Sequence, residues 1–192
     1  MAFEHTYDWL IQSDRRKDAI VGFNQPLTAT HIARRTGQNL DATLQVLWAL
    51  SLYGVVCCLN RDTHHNRIYW LTKLGLKCQE RLRKQLGLKQ LTHSIPDVPW
   101  NLYSSVCYSH RATIIKTMHG LMQPAEIKRK ALAQNRSLRM SANNVRDVMR
   151  YLLRQGIVEK VKVRKKAHPR YELADMGMTF RELLHGAMAR AV

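Results

Sequence analysis

The chain has 192 residues, with 31 Lys and Arg against 14 Asp and Glu, a formal net charge of +17. Such a surplus costs stability by self-repulsion unless a polyanion is met, so nucleic acid is the expected partner, ahead of an anionic membrane or an acidic protein. No apolar run approaches the ~20 residues of a membrane span, and Cys57, Cys58, Cys78 and Cys107 show neither a CxxC spacing nor a secreted disulfide framework.

Glu4 and Asp8 lie near the start and no signal-peptide core follows them. The expectation is a soluble cytoplasmic protein, nucleoid-associated if prokaryotic, with no membrane partner. A first helix falls within Glu4–Val21. A short one follows over Thr28–Arg35, capped by Thr28 or Thr30. After the turn-like "TGQN", a helix runs from about Leu40 to Tyr53. Leu44, Val46, Leu47 and Leu50 form its apolar face, Asp41, Ala42, Gln45 and Ala49 point outward, and Trp48 is expected half-buried. Gly54 sits at a C-cap position. "VVCCLN" and "IYWLT" read as strands around the loop "RDTHHNR", and a helix covers Leu74–Leu86.

"HSIPDVPW" holds two prolines and reads as a linker, placed at 93–103. It separates a domain at 1–92 from one at 104–192. The second domain opens with a helix within Ser104–His119. Pro124 starts another, "NRSLRM" connects, and Ser141 caps a helix over Ala142–Arg154 with Val145, Val148, Met149 and Leu152 inward. Gly156 ends that helix; strands Ile157–Val163 and Arg170–Leu173 and a helix over about Met176–Ala189 complete the domain.

The two halves repeat one another. "GFNQP" at Gly22–Pro26 recurs as "GLMQP" at Gly120–Pro124, an offset of 98. From Gly54 onward the offset is 102, matching Tyr69 with Tyr171, Leu71 with Leu173, Gly75 with Gly177, Glu80 with Glu182 and Leu82 with Leu184. Four extra residues are therefore expected between Pro124 and Gly156. The fold class is mainly α with small β-hairpins (α+β).

Helix, helix–turn–helix, hairpin, helix, twice over, resembles two winged-helix domains in tandem, MarR-like regulators among them, over roughly 5–86 and 104–186. The resemblance implies a helix before the glycine that enters the DNA major groove and a hairpin wing on phosphate or minor groove. "EKVKVRKKAHPRYEL", Glu159–Leu173, would then be a wing.

Residues 96–192 carry a net +11 against +6 for residues 1–95, so the second copy is the expected main contact with double-stranded DNA. Asn143, Asn144, Arg146 and Arg150 are the candidate base readers, because Arg suits guanine and Asn suits adenine. Lys128, Arg129, Lys130, Lys160, Lys162, Arg164, Lys165, Lys166 and Arg170 suit phosphates. The first copy's counterpart helix carries no cation. That copy either touches backbone through Arg34, Arg35, Arg61 and Arg67, or packs against a second protomer through Trp48, Leu52 and Tyr53 as a homodimer. Composition leaves both open.

Cys57 and Cys58 should point to opposite sides of a strand, one in the core, with His64 and His65 at the hairpin tip, so no metal site is expected. A reactive thiol beside Arg61 or Arg67 is a weaker alternative. Tyr7, Trp9, Trp70, Trp100, Tyr103 and Tyr108 either stack single-stranded bases or fill internal contacts, with Trp100 and Tyr103 placed as an interdomain plug. No catalytic motif, catalytic residue or cofactor is expected, and a small-molecule effector is left open. The functional expectation is a sequence-specific duplex DNA-binding transcription regulator. A replication or mobile-element initiator, a protein-interaction module and an RNA-binding protein are the alternatives.

Overall fold

Residues 2–161 and 168–188 are described by the computed structural model. Among these residues the chain is mainly helical, with two small antiparallel sheets, an α+β architecture. It divides into two compact units, residues 1–104 together with 186–192, and residues 105–185. Residues 93–103, read as a linker, cluster with the first unit. So do residues 186–188.

The first unit begins with α1 (Ala2–Ile11) and α2 (Asp14–Val21), followed by β1 (Leu27–Thr28), α3 (Ala29–Thr36), α4 (Leu40–Leu52), β2 (Val56–Cys58), β3 (Ile68–Leu71) and α5 (Lys73–Gln85). Three helix starts are set by side chains that accept an otherwise free backbone N–H: Thr28 from His31, Asn39 from Ala42 and Thr72 from Gly75. The sheet order is β1-β3-β2, so β2 is an edge. Leu10, Ile20, Phe23, Ile32, Leu47, Leu50 and Leu82 fill the core around Trp70. Trp100 packs edge-on against the buried Tyr103, and both belong to this unit.

In the second part of the chain, α6 (Trp100–Val106) leads to α7 (Ser109–Thr117), α8 (Pro124–Gln134), α9 (Ala142–Arg154), β4 (Val158–Val161), β5 (Arg170–Leu173) and α10 (Asp175–Gly186). Ile114, Ile127, Val145, Met149, Leu152, Phe180 and Leu184 are buried, while Val148 is only half-buried. Ser141 and Asn144 cap α9 reciprocally, each side chain taking the other's backbone N–H.

The repeat is structural. Val56 pairs with Leu71 and Cys58 with Tyr69; 102 residues on, Val158 pairs with Leu173 and Lys160 with Tyr171. A Cβ on Gly75 would lie 2.1 Å from the Val55 carbonyl oxygen, and one on Gly177 would lie 2.1 Å from that of Ile157. Both glycines are there because the closing helix crosses the strand's entry without room for a side chain. Gln79 Nε2 donates to the carbonyls of Ile20 and Phe23, and Arg181 Nη1 donates to that of Met118, tying each closing helix to the end of the unit's leading helices.

Upstream of the hairpins the expected register is wrong. Leu27 faces Tyr69 and Met122 faces Tyr171, and the caps Thr28 and Gln123 precede α3 and α8, an offset of 95 rather than 98. The "GFNQP" and "GLMQP" match is thus a coincidence of composition. The second copy holds seven extra residues rather than four: α8 is three residues longer than α3, and the connector to α9 is four longer.

Three surface assignments also change. Leu44 is not in the core: Thr43, Val46, Leu47 and Leu50 make the inward face of α4, and Leu44 lies on its solvent side. Trp48 is 68% exposed, not half-buried. Cys57 and Cys58 are both half-buried, because β2 is an edge strand and neither of its sides is sealed.

Candidate nucleic-acid interface

α9 presents its outward side at a fixed spacing. Asn143, Arg146, Asp147 and Arg150 are all exposed, and so is Arg154, which the reading of the sequence passed over. Arg146, Arg150 and Arg154 recur every four residues and so form one ridge. At 1.5 Å rise per residue it is about 12 Å long, about the width of the major groove of B-DNA. The interval of four was the available signal. Asp147 sits within the ridge, its Oδ1 3.2 Å from Arg150 Nη1, an exposed pair of little energetic weight.

Asn144 is not free as a reader. Its Oδ1 accepts from Ser141 N and Ser141 Oγ, at 2.9 and 2.7 Å. It closes the helix cap, and only its amide nitrogen remains to meet a base edge. Asn143 has no such duty in the cap and is exposed.

Beside the ridge runs a groove of about 640 Å³ in the second unit, lined by Lys128, Arg146, Met149, Arg150, His168 and Tyr171 among others. The start of α8 borders it at Gln123 and Pro124; proline has no N–H to offer, so what the helix start adds to the cationic rim is the positive end of its dipole. Arg129 and Lys130 are exposed on α8, with Lys130 Nζ 3.3 Å from Glu126 Oε1. Lys160 is exposed on β4, and Arg170 is half-buried on β5 opposite Val161. Lys162, Arg164, Lys165 and Lys166 lie outside the described residues.

In the first unit the four arginines part company. Arg35 is unsuited to phosphate. Its guanidinium donates to the carbonyls of Gly22, Gly186 and Ala187 and to Asn24 Oδ1. Burial pulls it down to about 10. It clamps the backbone at Gly186 and Ala187. Arg34 is exposed, with Nη1 3.0 Å from Met188 Sδ. Arg61 and Arg67 are exposed and line a groove with Leu44, Trp48, Ser51 and Tyr69, against the solvent side of α4.

Burial raises the Cys57 thiol above its usual value, and Arg61 only partly offsets this. That disfavours the reactive-thiolate alternative. Among the described residues no group of three His, Cys, Asp or Glu could hold a metal ion, and no helix is long and apolar enough to cross a membrane. Tyr7 and Trp70 are buried, which removes them as base platforms. Trp9 is stacked between Tyr53, at 3.6 Å, and the Arg16 guanidinium, at 4.0 Å.

No family model, curated protein or solved structure matches this chain.

Proposed function

We infer that the protein binds duplex DNA as a tandem winged-helix regulator, with α9 of the second unit in the major groove and the β4–β5 hairpin on the flanking backbone. The supporting observation is the arginine ridge of α9, Arg146, Arg150 and Arg154, beside a groove rimmed by Lys128 and His168. In this reading Asn143 and Arg146, near the start of α9, meet base edges, and Arg154, Lys128 and Lys160 meet phosphates.

The test is selection of bound sequences from a random duplex library, followed by titration of the best sequence at several salt concentrations. The expected result is a defined consensus and an affinity that falls steeply with salt. Salt-independent binding would favour a protein-interaction module. Structured RNA outcompeting the selected duplex would overturn the reading in favour of RNA. A consensus made of directly repeated sites would point to an initiator rather than a regulator.

A further inference from the structure

The ridge that carries arginines on α9 carries none on α4. At the offset of 102, Arg146, Arg150 and Arg154 correspond to Leu44, Trp48 and Leu52, with Leu40 one step earlier on the same line. Their exposures are 44% for Leu40, 43% for Leu44, 68% for Trp48 and 65% for Leu52. Scattered apolar residues on a surface need no explanation; four in register over three helical turns do. α4 holds no Lys or Arg, and its only charged residue is Asp41.

We propose that a second copy of this chain docks on the α4 ridge, the two α4 helices lying antiparallel about a twofold axis. The choice of occupant follows from charge and from symmetry. Two chains of +17 repel each other over most of their surface, and α4 brings no cation to the contact. A ridge spaced every four residues is self-complementary when reversed. With the axis passing beside Val46, Leu44 meets Trp48 of the other copy and Leu40 meets its Leu52. The same operation sets Asp41 of one copy opposite Ser51 of the other. Ser51 lines the groove that also holds the exposed Arg61 and Arg67. Each end of the contact thus joins the helix's one carboxylate to two guanidiniums, and the pairing occurs twice. The buried centre is an aromatic anchor with apolar neighbours, the pattern that concentrates binding energy in interfaces.

The experiment is sedimentation velocity on the full chain, free of nucleic acid, over the micromolar range. The wild type is expected to dimerise. Trp48→Glu should raise the dimer dissociation constant by about a hundredfold or more, since each dimer loses two central rings. Its thermal midpoint should stay near that of the wild type, because Trp48 contributes little to the core. Asp41→Arg alone, or Arg61→Asp with Arg67→Asp, should weaken the dimer, and the three together should restore most of it. A monomeric wild type overturns the proposal. So does a dimer indifferent to Trp48→Glu, and so does charge reversal that fails to rescue. A monomer whose α4 captures an acidic protein instead would assign the ridge to a different occupant and equally overturn it.

Discussion

Replacing Arg146, Arg150 and Arg154 together by Ala separates a groove-reading α9 from an ordinary solvated helix. All three side chains are exposed, and Ala is the best helix former, so the second unit should keep its fold. The pair with Asp147 is exposed and its loss costs little. If Arg150 and Arg154 each meet a phosphate while Arg146 meets a base edge, the slope of log affinity against log salt should shrink by about 1.8, close to 0.9 per phosphate contact. Over a fourfold rise in salt the wild type should then lose about 12-fold more affinity than the variant. Fluorescence anisotropy of a labelled duplex, read at four or five salt concentrations, measures both slopes. Arg81→Ala is the control, because Arg81 is half-buried on α5 and pairs with Glu4, well away from α9 in sequence and in a different unit. An unchanged slope in the triple variant refutes the assignment of α9. An equal fall in Arg81→Ala would mean that net charge matters and the ridge does not.

Two other predictions concern the scaffold. Gly75→Ala and Gly177→Ala each place a Cβ 2.1 Å from a backbone carbonyl oxygen, so each should destabilise its own unit by about 1–3 kcal/mol, read as a lower urea midpoint; an unshifted midpoint would show that the strand entry can yield. His93 is held below its usual value by burial first and by the Arg83 guanidinium second, with a backbone hydrogen bond to Asn24 opposing them. Its folded-state value is thus depressed relative to the unfolded chain, so its contribution is present above about pH 6.5 and is lost as pH falls below that. Thermal melts between pH 7.5 and pH 5.5, compared with His93→Gln, should show a smaller loss in the variant (the range brackets the ordinary histidine value of about 6.5).

Much of the fold was legible because local chemistry marks it. Thr28 and Ser141 are capping residues at helix starts, and Gly54 and Gly156 take a left-handed φ of 65° just after α4 and α9. Such signals act within three or four residues and survive in a one-dimensional reading. What the sequence hid depends on distance. Arg35 reads as a surface cation until Ala187, 152 residues later, supplies a carbonyl to it. Asn144 reads as a base contact until Ser141 is seen to occupy its side-chain oxygen. Leu44 fits an apolar face on paper, yet a turn of 3.6 residues puts Thr43 inside and Leu44 out. The repeat misled where it looked most convincing: "QP" recurs, but the strand pairing of Leu27 and Met122 sets the true register.

The two copies agree and disagree for different physical reasons. Positions alike in both are those where backbone meets backbone or the hairpin meets the core. Gly75 and Gly177 leave no room for a Cβ, Tyr69 and Tyr171 sit at the same strand register, and Leu82 and Leu184 are both buried. Any sequence that folds this way must satisfy those contacts. The outward ridge of the helix before the hairpin is under no such demand, since substitutions there leave the core untouched. Leu44, Trp48 and Leu52 in one copy against Arg146, Arg150 and Arg154 in the other are therefore choices that the fold did not impose. Exposed apolar groups cost solubility and like charges in a row cost stability, so the two proposals give each row a partner: an apolar surface for the first, a polyanion for the second. Were both proposals to hold, one dimer would offer two arginine ridges to DNA, and the selected duplexes should then contain paired half-sites.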